Sequence, residues 1–305
     1  MTNHSIALDS SFTLATGTVI KNRLFKSAMS EQLGDKQHNP TQGLANLYRR
    51  WAQGGLGLAM SGNIMIDRNA LGEPKNVVLD ERSNLNLFKN WTSAGTQDGT
   101  NFWAQLNHPG KQIPNFMTKE PVAPSAIALK RGLEKGFNKP RALEEKEILG
   151  IINKFATAAR LAKEVGFTGV QIHGAHGYLV SQFLSPSHNQ RDDQWGGALE
   201  NRMRFVREVY KAIRAEVGAD FPVGIKLNSA DFMKGGFSEE DSMLVIKQLS
   251  EDGIDLIEVS GGTYESPAMV GHRDKDDQPK ASTVKREAYF LEYAEAVRQH
   301  TDKPL

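Results

Sequence analysis

The chain of 305 residues carries 37 Lys and Arg against 36 Asp and Glu, with 39% hydrophobic residues and no cysteine. This composition is typical of a folded globular protein and excludes a disordered or collagen-like chain. Balanced charge argues against nucleic acid as a partner, and the lack of cysteine excludes disulfides, thiolate catalysis and iron–sulfur ligation by this chain. Neither a secretory signal nor an apolar window of membrane-spanning length occurs, so we expect no membrane association and a cytoplasmic location.

The N-terminal half contains short strand candidates separated by irregular spacers. A hairpin is predicted over residues 12–19, and strands are predicted at 23–29, 56–62 and 101–107. Residues 109–140 then contain five prolines and little periodicity. Loops of this length are uncommon inside compact domains and often act as lids or binding elements. We therefore predict a single domain, 1–305, with a long loop at about 109–140.

After residue 140 helices and strands alternate. Helices are predicted at 144–165, at about 200–217, and from Ser238, where Asp241 three residues later forms a capping box. Strands are predicted at 168–173, 222–228 and 255–260. Each helix ends at a glycine, and the alternation predicts repeated βα units around a parallel sheet.

Two architectures have this alternation, the doubly wound sheet and the eight-fold barrel. No GxGxxG turn follows the first strand, which argues against the dinucleotide-binding doubly wound sheet. Six strands are counted, and residues 303–305 resemble the start of a seventh. We predict an α/β fold, a (β/α)8 TIM barrel that is incomplete here and lacks about the last two βα units.

Alternation within the predicted strands places polar side chains on one face. Gln105, His173 and Lys226 each lie opposite apolar neighbours, near the carboxyl end of a strand. In a barrel the apolar faces pack against the helices, so these three side chains should converge where barrel active sites lie. The competing interpretation is that each is a structural polar group, with Lys226 forming a salt bridge to Asp231 or Glu258.

The stretch 173–178 concentrates further chemistry. His173 and His176, three residues apart, have a spacing that could serve a metal, but no carboxylate or third histidine accompanies them, and we predict no metal site. The alternative is that both imidazoles donate hydrogen bonds to a substrate oxygen while Tyr178 protonates a carbanion-like centre. Lys226 remains open between a Schiff base, as in aldolases, and a fixed positive charge beside an anionic ring whose imide edge faces Gln105.

Several motifs in register resemble the Old Yellow Enzyme family, specifically its bacterial NADH:flavin oxidoreductase branch. The matching segments are KNR at 21–23, SAMS at 27–30, SGN at 61–63, QLNHPGK at 105–111, IHGAHGYL at 172–179, QFLSP at 182–186, NQR at 189–191, WGG at 195–197 and ENR at 200–202. A single segment is weak, but together they are specific, and the resemblance extends from about residue 9 to the last residue.

The resemblance implies an FMN-containing barrel in which NADH or NADPH reduces the flavin. The flavin then passes hydride to a small-molecule substrate, often an alkene conjugated to a carbonyl. By position, Gln105 and Lys226 would hold the pyrimidine edge of the flavin. His173 and His176 would bind the carbonyl oxygen, and Tyr178 would supply the proton. The ring would be lined around Ser27, Ala28, Met29, Ser30 and Asn63.

Three positions depart from the family pattern. Ala28 stands where proline is usual, Ser30 where cysteine or threonine is usual, and Gln32 where a tyrosine often lies. Because such barrels bind phosphate with the loops after strands seven and eight, we expect the chain as it stands to hold FMN weakly and to associate. A homo-oligomer is left open. The alternatives are a lysine-dependent aldolase-type lyase and a non-catalytic barrel remnant.

Overall fold

The computed structural model describes residues 7–266 and 290–305. Its strands are β1 Phe12–Thr13, β2 Val19–Ile20, β3 Phe25–Lys26, β4 Leu58–Met65, β5 Asn101–Asn107, β6 Val122–Ala123, β7 Arg141–Ala142, β8 Gly169–Gly174, β9 Val223–Asn228 and β10 Leu256–Ser260. Its helices are α1 Gln42–Gln53, α2 Leu85–Gly95, α3 Glu145–Glu164, α4 Leu179–Leu184, α5 Leu199–Arg202, α6 Arg204–Val217, α7 Glu239–Asp252 and α8 Leu291–Val297, with 3-10 turns at Gln97–Gly99 and Leu133–Lys135.

Six strands form one sheet in the order β10-β9-β8-β5-β4-β3. The pairings of β3 with β4, β4 with β5 and β5 with β8 are parallel. Strands that follow one another as βα units therefore lie side by side, as in barrels built from right-handed βα crossovers. Two small sheets accompany this one, the antiparallel β1–β2 hairpin and the parallel pair β6–β7.

The three helices predicted after residue 140 are present as α3, α6 and α7. The predicted capping box starts α7, because the Asp241 backbone N–H donates to Ser238 Oγ at 3.2 Å. The helix predicted at 200–217 is divided into α5 and α6. Residues 109–140 are less irregular than predicted, since β6 lies within them and pairs with β7.

Helices α1 and α2 were not predicted, although α1 carries a periodic apolar face. Leu44, Tyr48 and Ala52 recur four residues apart and are fully buried. The strand predicted at 23–29 was too long, since only Phe25–Lys26 pairs with β4. After Lys26 the backbone no longer pairs with β4. Further along, the hydroxyl of Ser30 donates a hydrogen bond to the Glu73 carboxylate.

Packing divides the described chain into two compact units. The first contains the described residues up to His108, Gly150–Ile172 and Val209–Gly224. Its core includes an aromatic cluster in which Trp91 and Phe167 meet edge to face at 5.6 Å between ring centroids. The second contains Pro109–Leu149, His173–Glu208 and the described residues from Ile225 onward. Its core includes stacked Phe183 and Phe205 rings 4.1 Å apart.

Membrane insertion of a helix finds no support in this fold. Among residues 7–266 and 290–305, every helix is too short or too polar to cross a lipid bilayer.

Candidate active site

In the first unit, three amide side chains form a row across β4, β5 and β8. Asn63 is in register with Gln105, and Gln105 with Gln171. Gln105 Nε2 donates to Gln171 Oε1 at 2.8 Å, and the Gln105 backbone N–H donates to Ser61 Oγ at 2.9 Å. All three amides are buried. An amide offers both donors and acceptors, so this row can match the alternating donors and acceptors of a planar heterocycle.

The segment Ser27 to Ser30 lies against β4 at an irregularity of that strand. The β4–β5 register shifts between Met60 and Asn63, and a Cβ on Gly62 would lie 2.5 Å from the Met29 carbonyl oxygen. Only glycine allows this approach. Met29 remains 54% exposed, Ser27 and Ser30 are exposed, and Ala28 is half-buried. The segment therefore presents an apolar side chain on anchored backbone.

The carboxyl of Glu31, which follows that segment, is linked through Tyr48 to the backbone of β4. Glu31 Oε1 accepts a hydrogen bond from Tyr48 Oη at 2.6 Å and lies 3.5 Å from Lys26 Nζ. Burial raises the pKa of Glu31 despite these partners. Tyr48 Oη also accepts from the Gly62 backbone N–H at 2.9 Å, which links the carboxyl to the irregular part of β4.

In the second unit, two histidines lie together where β8 ends. The His173 and His176 rings meet edge to face at 5.3 Å between centroids. Burial lowers the pKa of His173 well below its usual value, with the charges of His176 and Lys226 adding to the effect. Burial and then Lys226 lower the pKa of His176 to about 3. Both imidazoles are therefore neutral at pH 7, and each carries one N–H donor.

Hydrogen bonding assigns the proton of His173. Its Nδ1 accepts from the Ala175 backbone N–H at 3.4 Å, so the neutral ring carries hydrogen on Nε2. His176 Nε2 lies 2.6 Å from Ser260 Oγ. The pair thus combines a donor defined by the backbone with an imidazole held by a hydroxyl.

The backbone at His176 is in the left-handed region, with φ of +63°, and Gly177 follows with φ of +77°. Such conformations are unfavourable for residues other than glycine and cluster at functional sites. Two side chains hold the strained residue: Asn228 Oδ1 accepts from the His176 N–H at 3.1 Å, and Gln112 Nε2 donates to its carbonyl at 3.1 Å. The position of this imidazole is therefore determined by its surroundings.

Tyr178 adjoins both histidines. Its ring lies edge-on to His173 at 4.8 Å between centroids, and it is 7% exposed. The Tyr178 hydroxyl lies 3.0 Å from the Tyr264 hydroxyl. The structure thus brings together the three residues predicted to act in catalysis.

Lys226 is paired with one of its two predicted ionic partners. Its Nζ lies 3.0 Å from Glu258 Oε1, and both side chains are 10% exposed. Asp231 instead accepts from Ser185 Oγ at 2.6 Å and from the Phe237 N–H at 2.9 Å. An ammonium has three donors, so the pair with Glu258 is compatible with a second anionic partner for Lys226.

Sequence reasoning missed several residues that complete these sites. Gln171 shares the polar strand face of His173, so alternation alone could have found it. Asn228 lies on the same face as Lys226 at the end of β9 and could have been found in that way. Ser260 and Tyr264 lie at or beyond the end of β10, where strand periodicity carries no signal.

A comparison with protein families assigns the chain. The model of the NADH:flavin oxidoreductase / NADH oxidase family matches residues 11–305. The chain belongs to this family. The family uses FMN as cofactor and NADH or NADPH as reductant, and the chain is accordingly a flavin-dependent oxidoreductase.

Curated relatives from this NADH:flavin oxidoreductase family include fungal and bacterial enzymes. The NADH-dependent flavin oxidoreductase iliE of Hypocrea jecorina is 38% identical over 314 residues, covering 96% of this chain and 77% of that protein. Its namesake from Neonectria is 36% identical and covers 94% of this chain but 40% of that protein. The chain thus spans between two fifths and about three quarters of these relatives.

Solved structures confirm the resemblance to the Old Yellow Enzyme family. They also confirm the (β/α)8 barrel class, and the six-stranded parallel sheet is an incomplete barrel of this class. The Old Yellow Enzyme homologue of Zymomonas mobilis matches with a TM-score of 0.79 and 28% identity over 98% of this chain and 81% of its own. A 2-naphthoyl-CoA reductase bound to 2-naphthoyl-CoA matches with 0.87 and 28%, over 97% and 45%. Morphinone reductase, at 24% identity and a TM-score of 0.78 over 97% and 78%, shares the fold.

The residues of each unit fit the family's flavin by the chemistry of their donors. A cradle that only glycine permits, at Gly62, sets the Met29 backbone against β4 beside the buried amide Asn63. The buried ammonium of Lys226 suits the negative charge of a reduced flavin. In the part of the chain that the structure describes, no group of three or more His, Cys, Asp or Glu side chains could hold a metal.

Proposed function

We propose that this chain is an NADH-dependent reductase of alkenes conjugated to a carbonyl. FMN, when bound, would supply the hydride after reduction by NADH. The observation that carries the proposal is the pair of neutral imidazoles, buried His173 and half-buried His176, beside the buried phenol of Tyr178. Together they supply two hydrogen-bond donors for an oxygen and one proton source nearby.

The imidazoles polarise the substrate. A carbonyl oxygen that accepts from His173 Nε2–H and from His176 draws electron density from the conjugated double bond. The β-carbon then becomes the electrophilic position. Because His173 is buried and His176 is half-buried, these hydrogen bonds act in a dielectric lower than that of water, where they stabilise developing negative charge on the oxygen more strongly. The strained His176 backbone contributes by holding its donor in place before the substrate arrives.

Tyr178 completes the addition. Hydride adds to the β-carbon and the phenolic proton to the α-carbon, so the double bond is reduced by one hydride and one proton. A phenol is a weak acid in water, with a pKa of about 10. A phenol can still act as the acid here, because the atom that accepts its proton is a carbanion-like carbon, which is a strong base.

Within the same proposal, Gln105 and Lys226 bind the pyrimidine edge of FMN, and Ser27, Ala28, Met29, Ser30 and Asn63 line its ring. Support comes from the hydrogen-bonded amide row and from the exposed apolar Met29 on an anchored segment. We propose further that the chain serves as one FMN-binding domain.

The lyase alternative is less well supported by the contacts of Lys226. A Schiff-base lysine attacks as a neutral amine, whereas Lys226 is ion-paired with Glu258 at 3.0 Å. Borohydride treatment in the presence of carbonyl substrates should therefore leave Lys226 unmodified.

The proposal is tested by anaerobic turnover with FMN, NADH and two matched alkenes. 2-Cyclohexenone should be reduced to cyclohexanone with consumption of one NADH per product. Cyclohexene, which lacks the carbonyl oxygen, should not be reduced. FMN and NADH without protein provide the background rate. Equal rates with both alkenes, or no NADH oxidation that depends on the enone, would overturn the proposed function.

A further inference from the structure

Tyr264 contacts Tyr178, the proposed proton donor. Its hydroxyl is 3.0 Å from the Tyr178 hydroxyl, and the two rings meet at 67° with centroids 6.0 Å apart. Tyr178 is 7% exposed, whereas Tyr264 is half-buried. The second phenol therefore lies between a buried proton donor and better-hydrated surroundings.

The segment that carries Tyr264 pairs with the stretch that contains the two histidines. Thr263 forms a parallel bridge with His176. The Glu265 N–H donates to Thr263 Oγ1 at 3.3 Å, and the Ser266 N–H donates to the Thr263 carbonyl at 3.0 Å. Tyr264 thus lies in a tight turn that is bridged to the backbone at His176. The Phe137 ring packs against the Tyr264 ring, with their centroids 6.2 Å apart.

A buried polar chain pins the other side. Lys111 Nζ, which can only donate, lies 2.9 Å from His188 Nδ1, so this nitrogen accepts and the neutral ring carries its hydrogen on Nε2. Burial, with Lys111 and Lys130 nearby, lowers the pKa of His188 to about 3. His188 Nε2 lies 3.4 Å from Glu265 Oε2, and Glu265 Oε1 accepts from the Lys130 N–H at 2.9 Å.

Glu265, which follows Tyr264 in the chain, is held at two points. Glu265 is only 3% exposed, and Arg131 also donates to its carbonyl at 2.9 Å. The neighbour of Tyr264 is therefore held by both its side chain and its backbone. The buried chain Lys111–His188–Glu265 thus holds the backbone next to Tyr264 more firmly than a side chain that only fills space would require.

We infer that Tyr264 is a positioning residue that hydrogen-bonds the Tyr178 hydroxyl and returns a proton to it after each turnover. This inference rests on the proposed function. When the Tyr178 proton moves to the α-carbon, the O–H bond of Tyr178 breaks and a C–H bond forms. The resulting phenolate accepts the Tyr264 hydrogen bond and then its proton, and water replaces the proton on Tyr264.

The physical reason is the cost of a buried negative charge. A phenolate at Tyr178 would be desolvated, and desolvation disfavours the charged form. A hydroxyl that donates to the phenolate forms a charge-assisted hydrogen bond, which is stronger than one between neutral groups. Tyr264 should therefore lower the barrier to protonation without touching the substrate carbonyl.

The test is a double-mutant cycle on the 305-residue chain supplied with FMN. Tyr264→Phe removes one oxygen atom. It should slow 2-cyclohexenone reduction roughly tenfold, as expected for loss of one hydrogen bond to a developing charge. In the Tyr178→Phe background the same change should alter the rate by less than about twofold, because the group that it assists is gone.

Two controls separate the relay from a structural role. Ferricyanide takes electrons from the reduced cofactor without protonation of a carbon, so its reduction should be unchanged in Tyr264→Phe. Tyr210→Phe, which alters another buried tyrosine, should leave both reactions unchanged. Equal ferricyanide and enone losses, or additive effects of the two substitutions, would overturn the inference. The proposed function fails separately, when Tyr178→Phe alone leaves enone reduction unaffected.

Discussion

The two units supply polar groups of different kinds. The row Asn63–Gln105–Gln171 in the first unit consists of amides, which have the same charge at every physiological pH. Two of them, Gln105 and Gln171, hydrogen-bond each other directly. The cluster His173–His176–Tyr178 in the second consists of groups that can gain or lose protons, held at a strained backbone.

The difference indicates a division between recognition and proton chemistry. An amide row sets a fixed pattern of donors and acceptors, so its loss should affect binding and stability. A cluster of imidazoles and phenols stabilises charge that appears only during the reaction, so its loss should affect rates.

His173→Ala is expected to have a large effect on the rate of enone reduction. Removal of one donor to a developing oxyanion typically costs about 10²–10³-fold in rate. Enone reduction should fall by that factor, while ferricyanide reduction, which involves no carbonyl, should stay within about twofold. His300→Ala is the matched control and should change neither rate. An equal fall with both acceptors would mean that His173 supports the cofactor rather than the substrate.

Lys226→Met should act on cofactor binding. Loss of a charged donor should weaken FMN affinity by about 10–100-fold, measured by quenching of flavin fluorescence. Lys226→Arg keeps the charge and should retain most of the affinity. Glu258→Gln removes the competing carboxylate and should shift the midpoint potential of the bound flavin upward. Unchanged affinity in Lys226→Met would show that the ion pair with Glu258 is its whole role.

Gln171→Leu tests the amide row. It leaves Gln105 Nε2 without the Gln171 acceptor, and a buried unsatisfied donor costs about 1–3 kcal/mol of unfolding free energy. Urea denaturation measures the change. Gln53→Leu disrupts an exposed amide pair and should stay within about 0.5 kcal/mol of wild type. Comparable losses in the two variants would contradict the importance of burial.

The smallest effect concerns pH. The His176 pKa is about 3 in the folded chain and about 6.5 when unfolded, so the unfolded chain binds more protons between these values. Stability from the neutral imidazole is therefore present above pH 6.5 and lost as pH falls toward 3. His176→Asn should reduce the loss of unfolding free energy between pH 7.5 and 5.5 by roughly 1 kcal/mol. An identical pH dependence in wild type and variant would show that His176 is solvated.

Much of this arrangement could be predicted from alternation along strands. In β5, β8 and β9 polar residues alternate with apolar ones, and this alternation predicts Gln105, His173 and Lys226 on polar faces. The exception is Trp103, an apolar residue on the polar face of β5. Helices α3, α6 and α7 were predictable because periodic apolar residues end at glycines. Helix α1 was missed although Leu44, Tyr48 and Ala52 show the helical period.

Other features depend on contacts between residues distant in sequence. The bond between Tyr178 and Tyr264 spans 86 residues. Lys226 pairs with Glu258 and not with Asp231. The Asp231 carboxylate instead accepts hydrogen bonds from Ser185 Oγ and the Phe237 N–H. No local pattern encodes the left-handed backbone of His176, because the hydrogen bonds that hold it come from Asn228 and Gln112.

The central claim is that a single phenol delivers the proton that completes alkene reduction. Its most direct test compares Tyr178→Phe with wild type, using 2-cyclohexenone and ferricyanide as acceptors after reduction by NADH. If Tyr178 donates the proton, enone reduction should fall by about 10²–10⁴-fold, the usual contribution of a general acid, while the ferricyanide rate is unchanged. An enone rate within about twofold of wild type would contradict it.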